Sequence, residues 1–232
     1  MNIDPKSRRR EDRRRLVLRL AAAGALGAGG LTGVISRALA KGDLPPGVHQ
    51  LTGTATVNGR PAQVGTAVSP RDKVATGAGS TAILVMKDDA FLVRQNTALE
   101  FGESRGALSR VLLQTGQVLA VFGKKPVEIQ AKNATVGIRG TGAYIEVEPA
   151  EIYLCLCYGE ADVAAPGMAT QRLKTTHHEQ PLLLVESGGG VTARPGGFRN
   201  HTDDELTLLE SLVGREPPFA GNPDAKPYFV PG

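Results

Sequence analysis

From Leu51 onward the chain reads as one apolar run after another, spaced about ten residues apart and separated by glycine. The runs are LTGTATVNG, RPAQVGTAV, KVATGAGSTAILVM, DDAFLVRQNTALEF, SRVLLQTGQVLAVF and VEIQAKNATVGI. None carries the 3.6-residue period of an amphipathic helix. Gly65, Gly77, Gly79, Gly102, Gly106, Gly116 and Gly123 punctuate them, and Asn58-Gly59 is a hairpin turn signal. Lys87-Asp88-Asp89-Ala90 reads as a further turn, and Glu160–Ala165 and Gln180–Glu186 continue the pattern. The expected fold is therefore all-β: an antiparallel β-sandwich or rolled β-sheet of many short strands.

The stretch Ala134–Gly159, ATVGIRGTGAYIEVEPAEIYLCLCYG, reads as strand, glycine-rich turn, strand, connection, strand. Gly137, Gly140 and Gly142 surround Arg139 and Thr141, so a turn there would use the conformational freedom of glycine. Gly137, Arg139, Gly140 and Thr141 form a candidate turn with two uses. Arg139 ties the turn down through carbonyls, or it receives a ligand carboxylate or phosphate. Cys155 and Cys157 are the only cysteines in 232 residues. On a strand they share one face, with Leu154 and Leu156 on the other. Same-face residues two apart sit about 6.5–7 Å apart at Cα, which is poor for a disulfide and better for chelating one soft metal ion.

The last third also holds His177, His178 and His201, three of the four histidines. If KTTHHEQPLLL is a strand, His177 and His178 point to opposite faces and one of them can meet the thiols. The candidate metal set is Cys155, Cys157, His178 and His201, with His177 as substitute and Glu179 and Asp203 as outer-shell or substitute ligands. Two sulfurs and two nitrogens suit zinc or copper. The rival reading is that these are buried free thiols and surface histidines without a metal. A Cys–His nucleophile is a further reading, but no third, orienting residue can be named from the sequence.

Residues 1–40 read as an export signal. A head containing Arg13-Arg14-Arg15 precedes a mild apolar run, Leu16–Ile35, and Ala38-Leu39-Ala40 offers a cleavage site before Lys41. The paired arginines resemble a twin-arginine signal, although the Ser/Thr usual before the pair and the Phe usual after it are missing. Left uncleaved, residues 16–35 would be the only membrane contact. These 40 residues hold nine Lys/Arg against three acids, whereas the remainder holds 18 against 20. The basic charge thus belongs mainly to the leader. With no Trp and 4% aromatic residues as well, nucleic acid is not expected as a partner.

One helix is expected late, over 201–214. Thr202-Asp203-Asp204-Glu205 is a capping box, Leu206, Leu209 and Val213 form its stripe, and Gly214 closes it. The proline-rich tail 215–232 follows, extended along the domain or loose.

Several pieces resemble the FecR domain family over residues 50–165. They are Asn58-Gly59-Arg60-Pro61-Ala62 with Val64-Gly65, Asp72–Ser80 (DKVATGAGS), Asn96-Thr97-Ala98-Leu99, Gly116-Gln117-Val118, and Ala134–Thr141 (ATVGIRGT). The resemblance implies an all-β extracytoplasmic domain, placed here at 45–200. Members of the family include inner-membrane regulators that relay receptor signals to a sigma factor. This sequence departs from that architecture in its short arginine-rich head and in lacking a recognisable receptor-contacting half. The expectation is a stand-alone exported periplasmic FecR-like module that binds a small ligand or an envelope protein. One alternative is an inner-membrane-anchored regulator of transmembrane signalling or metal uptake, and a thiol-dependent enzyme is the other. The sequence has no phosphate-cradling G-x4-G-K-[ST], no H-E-x-x-H and no calcium loop.

Overall fold

The computed structural model describes residues 44–221. The leader and the last eleven residues of the tail lie outside them. Among the described residues fourteen strands join into one mixed sheet, and one helix follows: α1, Asp203–Leu212. The all-β class expected from the glycine-spaced runs is observed, and the sheet is not closed into a barrel. The strands are β1 (Gly47–Thr52), β2 (Ala55–Val57), β3 (Arg60–Pro61), β4 (Lys73–Thr76), β5 (Thr81–Met86), β6 (Asp89–Val93) and β7 (Ala98–Ser104). They continue as β8 (Ala107–Val121), β9 (Pro126–Ala131), β10 (Ala134–Val147), β11 (Glu151–Ala164), β12 (Gln171–Thr175), β13 (Leu182–Ser187) and β14 (Gly190–Pro195).

Several turns follow the sequence closely. Asn58 and Gly59 both take positive φ, as a type I′ hairpin between β2 and β3 requires. Lys87 does the same before β6. Other glycines do not separate strands at all. β8, β10 and β11 are 15, 14 and 14 residues long, and each runs through a glycine at positive φ: Gly116, Gly140 and Gly159. Gly140 and Gly159 lie at a bulge, where one strand gains a residue over its neighbour and bends, and Gly116 follows the bulge at Gln114 of β8.

The bends let the long strands change partners. The first half of β10 pairs with β9 and its second half with β8. β9 also pairs with the first half of β8, in the one parallel pairing of the sheet. The sheet curls around a main core that includes Leu84, Phe91, Leu113, Ile129, Ile145 and Leu156. The opposite face of β5, β6, β8, β10 and β11 is buried as well. There Val85, Leu92, Leu119, Tyr144, Cys155 and Cys157 meet Leu206, Leu208, Leu209 and Leu212 of α1. Burial on both faces explains why AILVM, AFLV and EIYLCLCY read as continuous apolar runs and not as alternation.

The helix forms as its sequence dictates. Thr202 Oγ1 accepts from the Glu205 N–H, and the Glu205 carboxylate accepts from the Thr202 N–H. Gly214 follows at positive φ. The buried stripe differs slightly from the expected one. Leu208 and Leu212 join Leu206 and Leu209, while Val213 is only half-buried at the C-cap.

Candidate metal centre

The site lies where β11 changes neighbours. Its first half pairs with β13, ending at Leu154, and its second half pairs with β12 from Gly159. Cys155 to Tyr158 fall in the gap. The loop 176–181, which joins β12 to β13, crosses this gap and satisfies its backbone: the His178 N–H donates to the Cys157 carbonyl at 2.9 Å. On the other side, against β10, β11 bulges. Gly142 is opposite Tyr158 and Ala143 is opposite Leu156, so Cys157 is the extra residue of its strand.

The two thiols share a face, opposite Leu154 and Leu156, as the two-residue period requires. The histidines arrive differently from the strand reading. His177 and His178 lie in the loop, not on a strand, and His178 takes φ +61°. Strand alternation therefore does not apply, and both rings reach the same carboxylate, Asp203. His201 comes from the segment just ahead of α1.

Four ligand atoms converge: Cys155 Sγ, Cys157 Sγ, His178 Nδ1 and His201 Nε2, all within 4.8 Å of one another. Cys155 Sγ is 3.4 Å from His178 Nδ1, and Cys157 Sγ is 3.5 Å from His201 Nε2. The two nitrogens are 3.3 Å apart. A tetrahedral zinc with Zn–S of about 2.3 Å and Zn–N of about 2.0–2.1 Å separates its nitrogens by about 3.3–3.4 Å, and each sulfur from each nitrogen by about 3.5–3.6 Å. These three separations match edges of that tetrahedron, and the remaining donor pairs lie within 4.8 Å. All four residues are at most 2% exposed.

The surroundings orient the rings for this. His201 Nδ1 donates to the Arg199 carbonyl at 2.7 Å, which turns Nε2 toward the sulfurs. His178 Nε2 is 3.0 Å from Asp203 Oδ1, which directs Nδ1 to the sulfurs. Tyr144 stacks on His201 at 4.5 Å, and Phe198 packs against both His178 and His201. Asp203 is an outer-shell partner in this arrangement. Glu179 instead shapes the loop, accepting from the backbone N–H groups of Thr176 and His177. Its carboxyl is held down to about 2: burial pushes it up, but bonds from Thr176 and the loop amides outweigh that.

The electrostatics set the two thiols apart. Burial pushes the Cys155 thiol up, but hydrogen bonds from Cys157, His178 and His201 outweigh it and hold the thiol well below its usual value. Cys157 is held well above, by burial and by the charge on Cys155. Burial pulls His178 down, yet Asp203 and Cys155 raise it above its ordinary value. One thiolate is thus paired with His178, and a cation between the sulfurs would favour the second sulfur as thiolate as well.

Asp203 is the third residue that a Cys–His nucleophile lacked in the sequence. Cys155, His178 and Asp203 stand in line, but Cys155 is 0% exposed, so no substrate reaches its sulfur as folded. A pentapeptide with the spacing of a hydrolase elbow, Gly102-Glu103-Ser104-Arg105-Gly106, ends β7 and turns into β8, without the strand-to-helix turn such a nucleophile needs.

The candidate turn is corrected by the structure. Gly137, Arg139, Gly140 and Thr141 lie inside the continuous strand β10, with only Gly140 at positive φ. Arg139 is exposed opposite Glu160, and Thr141 is buried.

No family model matches the chain, and no curated protein matches it. Among solved structures it is similar to two crystal structures of a candidate anti-sigma factor from Parabacteroides distasonis ATCC 8503. These are 12% and 13% identical, each with a TM-score of 0.44, over 53% of this chain and 59% of theirs. The match thus spans just over half of either protein and carries nothing about function. The FecR resemblance rests on its motif residues alone.

Proposed function

We propose that the chain is an exported periplasmic binding module whose C-terminal segment is fastened to its β-sheet by one zinc ion in a closed Cys2His2 site. The observation that carries this is the tetrahedral spacing of Cys155, Cys157, His178 and His201 inside a buried layer. A closed set of four protein ligands, without an open position, is the mark of a structural ion. It joins three segments distant in sequence: β11, the β12–β13 loop, and the residues leading into α1. Two thiolates favour zinc or copper(I) over harder cations, and tetrahedral S2N2 geometry favours zinc of the two. The FecR-like motifs and the leader are the grounds for the periplasmic, ligand- or partner-binding role.

The test is to express the chain with its leader, fractionate the cells, and weigh the folded periplasmic protein by native mass spectrometry. The expected species is processed near Ala40 and carries one zinc, and the Cys155→Ser/Cys157→Ser variant carries none. Protein that stays in the cytoplasm overturns the export reading. Periplasmic protein free of metal, or a double variant with full occupancy, overturns the metal reading.

A further inference from the structure

His178 presents both of its nitrogens to chemistry. Nδ1 faces the two sulfurs, whereas Nε2 faces Asp203, which also receives His177 Nε2 at 2.9 and 3.0 Å. His177 Nε2, His178 Nε2 and an Asp203 oxygen form a second convergent group, again within 4.8 Å. The geometry points to a second, outer divalent-metal site at His177, His178 and Asp203, bridged to the inner ion through the His178 ring. This rests on the inner site being metal-bound.

The outer group differs from the inner one in ways that set its chemistry. It has no sulfur, so it takes a borderline cation such as zinc, copper(II) or cobalt(II) through two imidazoles and one carboxylate. It has three protein ligands, and the Asp203 and His177 side chains are 19% and 10% exposed, against 0% for His178. With three protein ligands, such an ion would take water or a small anionic ligand as its fourth.

The charges close. The inner ion is neutralised by two thiolates. Binding of the outer ion replaces the proton on His178 Nε2, which leaves to solvent, so the bridging ring becomes an imidazolate with one negative charge. With Asp203 that matches the second divalent ion. The positive end of α1 opposes a cation here, but Asp203, Asp204 and Glu205 fill its first turn and offset it. Glu179, anionic and bonded to the His177 N–H, adds to the favourable field. Phe219 stacks on the His177 ring at 4.3 Å and holds it in place.

The experiment loads the full chain with one zinc, confirmed by mass, and then titrates it with cobalt(II). The expected wild-type result is one cobalt per chain, with weak ligand-field absorption and no thiolate charge-transfer band, since both sulfurs belong to the inner zinc. His177→Phe keeps the ring against Phe219 and removes a ligand. It is expected to retain the inner zinc and to weaken cobalt binding at least about 10-fold. Wild type that binds no cobalt after its zinc, or His177→Phe that binds it equally, overturns the outer site and leaves the inner one standing. A chain that takes up no zinc at all overturns both, and that result is read before cobalt is added.

Discussion

Stripping the zinc is expected to lower the melting temperature without unfolding the chain. The C-terminal segment has other fastenings. Arg94 bonds the Asn200 carbonyl at 2.7 Å and Glu205 at 3.1 Å, and Arg199 reaches the buried Glu146 at 2.8 Å. Leu206 and Leu209 are 0% exposed beneath α1. The metal-free site is also internally paired, with Cys155 on His178 and Cys157 on His201. The ion therefore acts by mass action on a formed fold, not as the sole source of folding energy. At free zinc 100 times the dissociation constant the stabilisation is about 2.7 kcal/mol, and each further tenfold adds about 1.4 kcal/mol. For a domain of this size 1 kcal/mol moves the midpoint by about 2–4 °C, so the first increment is about 5–11 °C. Differential scanning fluorimetry across buffered free-zinc concentrations should show the midpoint rising with the logarithm of zinc for wild type and flat for Cys155→Ser/Cys157→Ser. A wild-type midpoint indifferent to zinc, or an equal rise in the variant, would refute the reasoning.

The remaining expectations concern the scaffold. A Cβ on Gly142 would stand 2.5 Å from the Tyr158 ring and 3.1 Å from Leu206, so Gly142→Ala pushes α1 from the sheet and costs about 1–3 kcal/mol in urea unfolding. Gly137→Ala, whose Cβ would meet nothing nearer than 3.9 Å, should change stability by less than about 0.5 kcal/mol. Glu146, wholly buried, accepts from Tyr144 at 2.5 Å and Asn200 at 2.6 Å and pairs with Arg199; Glu146→Gln should cost about 1–3 kcal/mol by the same assay. Burial pushes the Asp72 carboxyl up, but bonds from the Asn58 side chain and the Ser69 N–H hold it below its usual value. Its contribution is therefore present above the unfolded pKa of about 3.9 and is lost as pH falls through the lower folded value. Asp72→Asn should lower the neutral part of a stability–pH curve and flatten that acid limb, so that the two proteins converge at low pH.

What the sequence carried were the local rules. Two-residue alternation placed Cys155 and Cys157 together and Leu154 and Leu156 opposite, and side-chain chemistry at Thr202 and Glu205 marked the helix start. Glycine was ambiguous. Positive φ serves a hairpin at Gly59 and a bulge at Gly140 equally, so long bent strands read as short ones with a turn between. The histidine loop hides its break for a related reason. TTHHEQ has no glycine, and its break falls on His178 itself, held at positive φ by a bond to the Cys157 carbonyl and by the Glu179 carboxylate gripping Thr176. The convergence of His178 with His201, and the roles of Arg199, Tyr144 and Phe198 around them, come from strand pairings far apart in sequence. No local signal marks them. The second buried face leaves its trace only in unbroken runs such as EIYLCLCY.

X-ray absorption at the zinc edge of the loaded, folded protein tests the central claim most directly. Two sulfur scatterers near 2.3 Å and two imidazole nitrogens near 2.0 Å are predicted for the inner ion. A shell of oxygen and nitrogen alone, without sulfur, would contradict it.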